Sequence, residues 1–134
     1  MTTPDTLSAW LDCLEHRNRR AIVLGLDRVR AVRSRLALDP VFPLIMVGGT
    51  NGKGSTCAYL EAMLGAAGYR TGCYTSPHLL RYNERVRVAG EPASDADLCQ
   101  AFAAVEAARG EIPLTYFEQG TLAAMWLFQR ANPD

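Results

Sequence analysis

The segment PLIMVGGTNGKGSTCAYLEAMLGAAGY, residues 43–69, constrains the fold more than any other part of the chain. It opens with a short, wholly apolar run, Pro43 to Val47, closed by Gly48 and Gly49. A run with no polar alternation predicts a strand buried on both faces, as in a parallel sheet. Beyond the glycine-rich stretch, Leu60, Met63, Leu64 and Ala67 recur at helical spacing, and Gly68 marks the stop. RTGCYTS, residues 70–76, reads as the next strand. Strand, glycine-rich loop, helix and strand make a βαβ unit, which is right-handed almost without exception. The fold class expected is α/β, a P-loop-type parallel sheet with flanking helices.

The turn inside that unit, GGTNGKGST, raises a chemical question. A common nucleotide loop reads G-x-x-x-x-G-K-[ST], with a hydroxyl directly after the lysine to hold magnesium. Here Gly54 follows Lys53, the hydroxyl arrives one place late at Ser55, and Val47 stands where the first glycine is expected. The physical requirements of a phosphate site are met all the same. Small residues let backbone N–H groups crowd around phosphate oxygens, and the following helix N-terminus adds partial positive charge. Lys53 reaches the β- and γ-phosphates as a point charge. The competing reading is a glycine-rich turn with an incidental surface lysine, and the flanking strand and helix favour phosphate binding over it. The candidate phosphate ligands are Gly49, Thr50, Asn51, Gly52, Lys53, Gly54 and Ser55.

The rest of the chain is mostly helical by pattern. Leu7, Trp10, Leu11 and Leu14 recur at helical spacing, with Thr6 or Asp5 as the N-cap. The basic segment HRNRRAIV then predicts a loop. A second helix is expected from near Gly25, burying Leu26, Val29, Val32 and Leu36 and ended by Asp39–Pro40. RVRVAGE predicts a short strand with one wet face. Ser94 begins an amphipathic helix with Asp97 in the capping-box position and Gly110 at its end. TYFEQGTLAAMWLFQRA is helical too, with Leu122, Met125, Trp126 and Gln129 on successive turns.

Composition excludes several classes of function. Fourteen basic and fourteen acidic side chains give a net charge of zero, which argues against a bulk nucleic-acid or membrane-surface role. No apolar run is long enough to span a bilayer, and MTTPDTLSAW lacks the pattern of a secretion signal. A cytoplasmic location is therefore expected. Cys13, Cys57, Cys73 and Cys99 are irregularly spaced, which suits reduced, buried thiols. No cluster has metal-ligand spacing, and no Ser-His-Asp or Cys-His arrangement points to a nucleophile.

GTNGKGS, Gly49 to Ser55, resembles the loop of folylpolyglutamate synthases and dihydrofolate synthases, relatives of the Mur ligases. YTSPHLLRYNERVRV, Tyr74 to Val88, is similar to the family's second signature, and LTYFEQGTLAAMWLF, Leu114 to Phe128, to its third. LGLDRV, Leu24 to Val29, looks like the early helix, so the resemblance runs in order through nearly the whole chain. It implies a bacterial ligase, often bifunctional, that adds glutamate to dihydropteroate and then to folates, using ATP and Mg²⁺. ATP phosphorylates a substrate carboxylate, and the amine of glutamate then attacks the acyl phosphate. The resemblance makes Lys53 catalytic, stabilising charge on the transferred phosphoryl group. It makes Ser76, in TSPH, a magnesium ligand that replaces the hydroxyl missing at Gly54, with Ser55 as a second candidate. Without the surrounding signature, Ser76 would read as a turn residue before Pro77.

By the same resemblance Leu114, Thr115, Tyr116 and Phe117 contact the pteridine end of the substrate, where aromatic rings stack well. His16, Arg17, Asn18 and Arg19 align with another pteroate-contacting stretch, although HRNR departs from the family pattern. Gln119 departs as well, standing where an aromatic or apolar residue is common. His78, Arg81, Glu84 and Arg85 recur in the second signature; for the His and Arg residues phosphate neutralisation stays open, and for all four so does ordinary surface pairing.

Residues 1–134 are expected to be the N-terminal part of an ATP-binding domain. The family's acidic glycine-rich motif with its magnesium-binding glutamate, a metal-binding histidine, the rest of the sheet and a C-terminal domain all fall after Asp134. Glu118, part of YFE, does not stand in for that glutamate. The partners expected are dihydropteroate or folate, L-glutamate and ATP, with no nucleic acid and no membrane, and with family members monomeric. The alternative is a stand-alone nucleotide-binding or interaction module without ligase chemistry. A small P-loop kinase is disfavoured by the glycine after Lys53.

Overall fold

The computed structural model describes residues 3–17 and 24–134. In chain order the elements are α1 (Leu7–Arg17), α2 (Asp27–Arg35), α3 (Lys53–Ala66), β1 (Gly72–Tyr74), β2 (Val86–Val88), β3 (Glu91–Pro92), α4 (Asp95–Arg109) and α5 (Tyr116–Ala131), with a 3₁₀ turn at Tyr82–Arg85. The chain divides into two compact units, residues 1–39 with 94–127 and residues 40–93 with 128–134. No helix among the described residues is long and apolar enough to cross a membrane.

The first unit is a helical core in which α1 and α2 both pack on α4. Trp10 and Leu14, Val32, and Leu98, Phe102 and Val105 are buried one or two turns apart along their helices, which is the amphipathic spacing read from the sequence. The Trp10 and Phe102 rings meet with centroids 6.0 Å apart. Thr6, rather than Asp5, caps α1 by accepting from the Ala9 amide at 3.2 Å. Ser94 Oγ caps α4 by accepting from the Asp97 amide at 3.1 Å.

Some boundaries move from those expected. Helix α1 continues through His16 and Arg17, which the basic composition had placed in a loop; residues 18–23 lie outside the described residues. Helix α2 starts at Asp27, leaves Leu26 exposed and ends before Ala37, which takes a positive φ of 51°. The chain has thus left the helix before Pro40 can act on it.

The second unit keeps the α/β class but pairs its strands differently. Its three-stranded sheet has the order β1-β2-β3, and both pairings are antiparallel. Val88 and Glu91 are joined by the two-residue turn Ala89–Gly90, both at positive φ, which suits a tight hairpin. The apolar run at residues 43–47 joins no ladder among the described residues, and Leu44, Ile45 and Met46 are 66%, 64% and 96% exposed. The expected parallel βαβ pairing with residues 72–74 is therefore not formed. Apolar patterning specifies a demand for burial on both faces, whereas a ladder also needs a particular neighbour, which patterning does not name. Helix α3 likewise buries none of its residues, and Met63 is exposed.

Gly72 fixes one close contact in this unit. A Cβ added there would lie 2.7 Å from the Phe128 ring, which is buried. Gly72→Ala is expected to destabilise the protein by about 1–3 kcal/mol through overpacking, read as a lower urea midpoint at unchanged slope. Adding Phe128→Leu should restore part of the loss; an unaltered midpoint in the single variant would contradict the contact.

Candidate phosphate site and the segments around it

Helix α3 begins in an unusual way. Its N-cap residue, Gly52, is in the left-handed region at φ 78° and ψ 4°, and no side chain caps it. A residue with a Cβ would be strained there. Helices α1, α4 and α5 carry side-chain caps, while α2 shares the bare start of α3 but begins from a right-handed Leu26 rather than a left-handed glycine. The first N–H groups of any helix lack intrahelical acceptors. In α3 they belong to Lys53, Gly54 and Ser55, all exposed. Together with the helix dipole, such a bare terminus is suited to an anion.

Two side chains of the loop turn back on it. Lys53 Nζ donates to the Gly49 carbonyl at 2.5 Å, which holds the cation against the loop's own backbone. Thr56 Oγ1 donates to the Gly52 carbonyl at 2.8 Å, so this hydroxyl is already engaged within the helix.

The loop opens on a cleft of about 1010 Å³. Thr50 to Gly54 form one part of its lining, Cys57 and Glu61 of α3 and Cys73 of β1 another, and Thr75, Ser76 and Pro77 a third. The structure thus brings Ser76 to the cleft that Lys53 faces, while Gly49 and Ser55 fall outside the lining. Glu61 pairs with Arg87 at 3.1 Å. Burial, with the Glu61 carboxylate next, pushes the Cys73 thiol up to about 11. All four cysteines are free thiols. Among the described residues no group of His, Cys, Asp and Glu is arranged to hold a metal ion.

The chain that carries Ser76 is held closely. Thr75 N donates to the Arg85 carbonyl at 2.9 Å, closing the base of the loop. The Glu84 carboxylate accepts from the amides of Leu79, Leu80 and Arg81 at 2.9, 2.9 and 2.7 Å. These bonds, Leu79's first, hold its carboxyl below the usual range. Arg85 Nε donates to His78 Nδ1 at 2.8 Å, and its guanidinium lies 5.3 Å from the centre of the Tyr82 ring. His78, Glu84 and Arg85 are therefore engaged with one another's loop.

The expected pteroate segments belong to the first unit. Leu114 is buried. Thr115 and Glu118 form a reciprocal cap on α5: Thr115 Oγ1 accepts from the Glu118 amide at 3.1 Å, and Glu118 Oε2 from the Thr115 amide at 2.8 Å. The other Glu118 oxygen accepts from Arg28 at 2.6 Å. Tyr116 is half-buried, and Phe117 is the one aromatic residue of the segment that is mostly exposed, at 54%. Gln119 is fully buried and donates to Glu106 at 3.4 Å. His16 Nδ1 bonds the Asp12 carbonyl at 2.7 Å, as an i−4 contact within α1. Arg17 donates to Glu106 at 2.8 Å, while Asn18 and Arg19 lie outside the described residues.

A glycine-led, uncapped helix start and a residue at the end of a strand thus line one cleft of an α/β domain. No family model matches the chain. It is 51% identical over 129 residues to the dihydrofolate synthase/folylpolyglutamate synthase of Escherichia coli K12, a match spanning 96% of this chain and 31% of that protein. With the Haemophilus influenzae protein of the same name it shares 48% identity, over 96% and 29% of the two chains. E. coli FolC in complex with DHPP and ADP superposes with a TM-score of 0.93 at 49% identity, over 100% of this chain and 33% of that one. The Yersinia pestis bifunctional synthase complexed with AMPPNP and Mn ion does so at 0.93 and 52%, over 100% and 33%. The chain belongs to the folylpolyglutamate synthase/dihydrofolate synthase family and corresponds to its N-terminal portion. It spans about a third of the length of the curated relatives it matches.

The Glu106 network predicts a specific pH response. Burial alone would raise this carboxyl, but bonds from Arg109 and Arg17 outweigh burial and hold it at about 2, against an ordinary 4.5. A depressed carboxyl contributes its stability fully above the unfolded value and loses it as pH falls through the folded one. Acid titration followed by circular dichroism should therefore show stability falling from about pH 4.5 toward about pH 2. Glu106→Gln should flatten that limb; an equally steep loss in the variant would contradict the pairing.

Proposed function

We propose that this chain forms the phosphate-binding part of an ATP-dependent ligase that joins L-glutamate to dihydropteroate, to folates, or to both, in the cytoplasm. The observation that carries the reading is the bare N-terminus of α3 opening, with Lys53, on the same cleft as Ser76. The chain's 51% identity to a bifunctional synthase supports it. Similarity extends over 96% of the chain, well outside the loop, which favours the ligase over a module that uses the loop alone.

The chemistry fits these residues. In the reaction, ATP phosphorylates a substrate carboxylate, and the amine of glutamate displaces phosphate to give an amide. Catalysis of such transfers is mostly positioning and neutralisation of charge. The amides of residues 51–55 hold phosphate oxygens, and Lys53 leaves the Gly49 carbonyl to pair with the transferred group. Mg²⁺ favours oxygen ligands and usually keeps several waters while bound by one or two carboxylates and by substrate phosphates. Ser76 shares the cleft lining with the hydroxyls of Thr50, Thr71 and Thr75, and the resemblance of its TSPH segment to the family signature singles it out, whereas Gly54 has no side chain to offer. When bound, the cation neutralises phosphate charge. Ser55 remains the second candidate.

At the substrate end, Phe117 offers an exposed flat ring, and Leu114, Thr115 and Tyr116 hold the segment that carries it. Of the second stretch, Arg17 pairs with Glu106 and His16 bonds the Asp12 carbonyl. We assign residues 1–134 to the N-terminal part of the ATP-binding domain. In this reading the relatives' remaining two thirds supply the rest of the sheet, cover Leu44 to Met46 and complete the glutamate site. The partners are small molecules, without nucleic acid or membrane, and the ligase is monomeric.

Lys53→Ala should weaken ATP binding by about 10- to 100-fold, the range for loss of a charge-assisted contact, as measured by calorimetry. Equal affinity in mutant and wild type would sink the assignment. The 134 residues by themselves should release no phosphate from ATP that depends on both dihydropteroate and glutamate. Release coupled to both substrates would overturn the proposed division of the site.

A further inference from the structure

We propose that Glu84 is a positioning residue for Ser76, acting through the loop between them; the inference rests on the reading that Ser76 meets a metal–nucleotide complex. The 3₁₀ turn at Tyr82–Arg85 has a buried side and a gripping side. Tyr82 and Asn83 are buried, and Asn83 Nδ2 donates to the Ala93 carbonyl at 2.8 Å, which fixes the turn within its own unit. From this anchored turn Glu84 takes hold of three consecutive amides, those of Leu79, Leu80 and Arg81.

Ser76 lies on the short stretch between two fixed points. On one side the Thr75 amide bonds the Arg85 carbonyl, and on the other the His78 ring accepts from the Arg85 side chain. Only Ser76 and Pro77 separate these anchors. Glu84 then closes the remainder of the loop, with Leu79 and Leu80 exposed at its far end. Leu79 and Leu80 bury too little to order the loop by packing, so its conformation depends on polar bonds. Three of them go to one carboxylate, beside the contact of the His78 and Tyr82 rings, whose centroids are 5.8 Å apart. Charge-assisted bonds to backbone amides are stronger than neutral ones, and a ligand group left loose by even an ångström loses much of its effect. Glu84 also lines the cleft itself, yet its oxygens face backbone amides and are used there.

The test titrates the protein with AMPPNP by calorimetry, with and without Mn²⁺, in wild type, Lys53→Ala, Glu84→Ala and Glu84→Gln. Thermal unfolding is recorded for each. Glu84→Ala should cut the Mn²⁺-dependent gain in affinity by about tenfold, while metal-free affinity stays within about twofold because the loop amides and Lys53 are untouched. Glu84→Gln keeps one acceptor oxygen and should fall between the two, so it carries the test if the alanine variant does not fold. A full Mn²⁺-dependent gain in both variants, or an equal fall in metal-free and metal-dependent affinity, overturns the positioning role alone. Wild type that binds no nucleotide, or Lys53→Ala that binds as wild type does, overturns the nucleotide reading and this inference with it.

Discussion

The first N–H groups of a helix need acceptors, and those of α3 have none from a capping side chain. The rest of the site follows from that one constraint. Gly52 turns left-handed to start the helix, with no side-chain cap, and Lys53, Gly54 and Ser55, which carry the first amides, are exposed. Lys53 folds back on the Gly49 carbonyl, so the loop holds its own cation close to those amides. Donors gathered at a helix N-terminus favour an anion, and in the proposed reading the cleft of about 1010 Å³ gives it room.

The absent hydroxyl after Lys53 then becomes a matter of geometry between two loops. Gly54 has nothing to offer a cation, and Thr56 uses its hydroxyl on the helix itself. Ser76 reaches the same cleft from the end of β1, on a loop whose ends and middle are tied by Thr75, His78 and Glu84. The signature that carries Ser76 is thus largely a device for holding backbone. Its charged residues grip the loop, and Ser76 lies in the lining of the cleft.

What could be read in advance divides along the range of the interactions. Ser94 with Asp97, Thr6 at α1 and the glycine-rich turn before α3 were legible because each works within four residues. The neighbour of residues 43–47 was not, since apolar patterning does not name a ladder partner. Arg17 with Glu106 and Arg28 with Glu118 join residues about ninety positions apart, and no local pattern marks them. Thr115 was read as a substrate contact, and the structure also gives it a helix cap. The spacing that signals that cap, Thr followed three residues later by Glu, was present in the sequence. Glu84 also bonds the amide three residues before it, that of Arg81, but no capping residue type stands there to signal it in the sequence.

The central claim is that the metal-binding hydroxyl of this phosphate site has moved from the loop to the end of the neighbouring strand. Comparing Ser76→Ala with Ser55→Ala tests it most directly, with Mn²⁺-dependent AMPPNP affinity as the readout. The account predicts that Ser76→Ala loses the Mn²⁺-dependent gain and keeps metal-free affinity, while Ser55→Ala keeps the gain. A Ser76→Ala protein with the full gain, or a loss confined to Ser55→Ala, would contradict it.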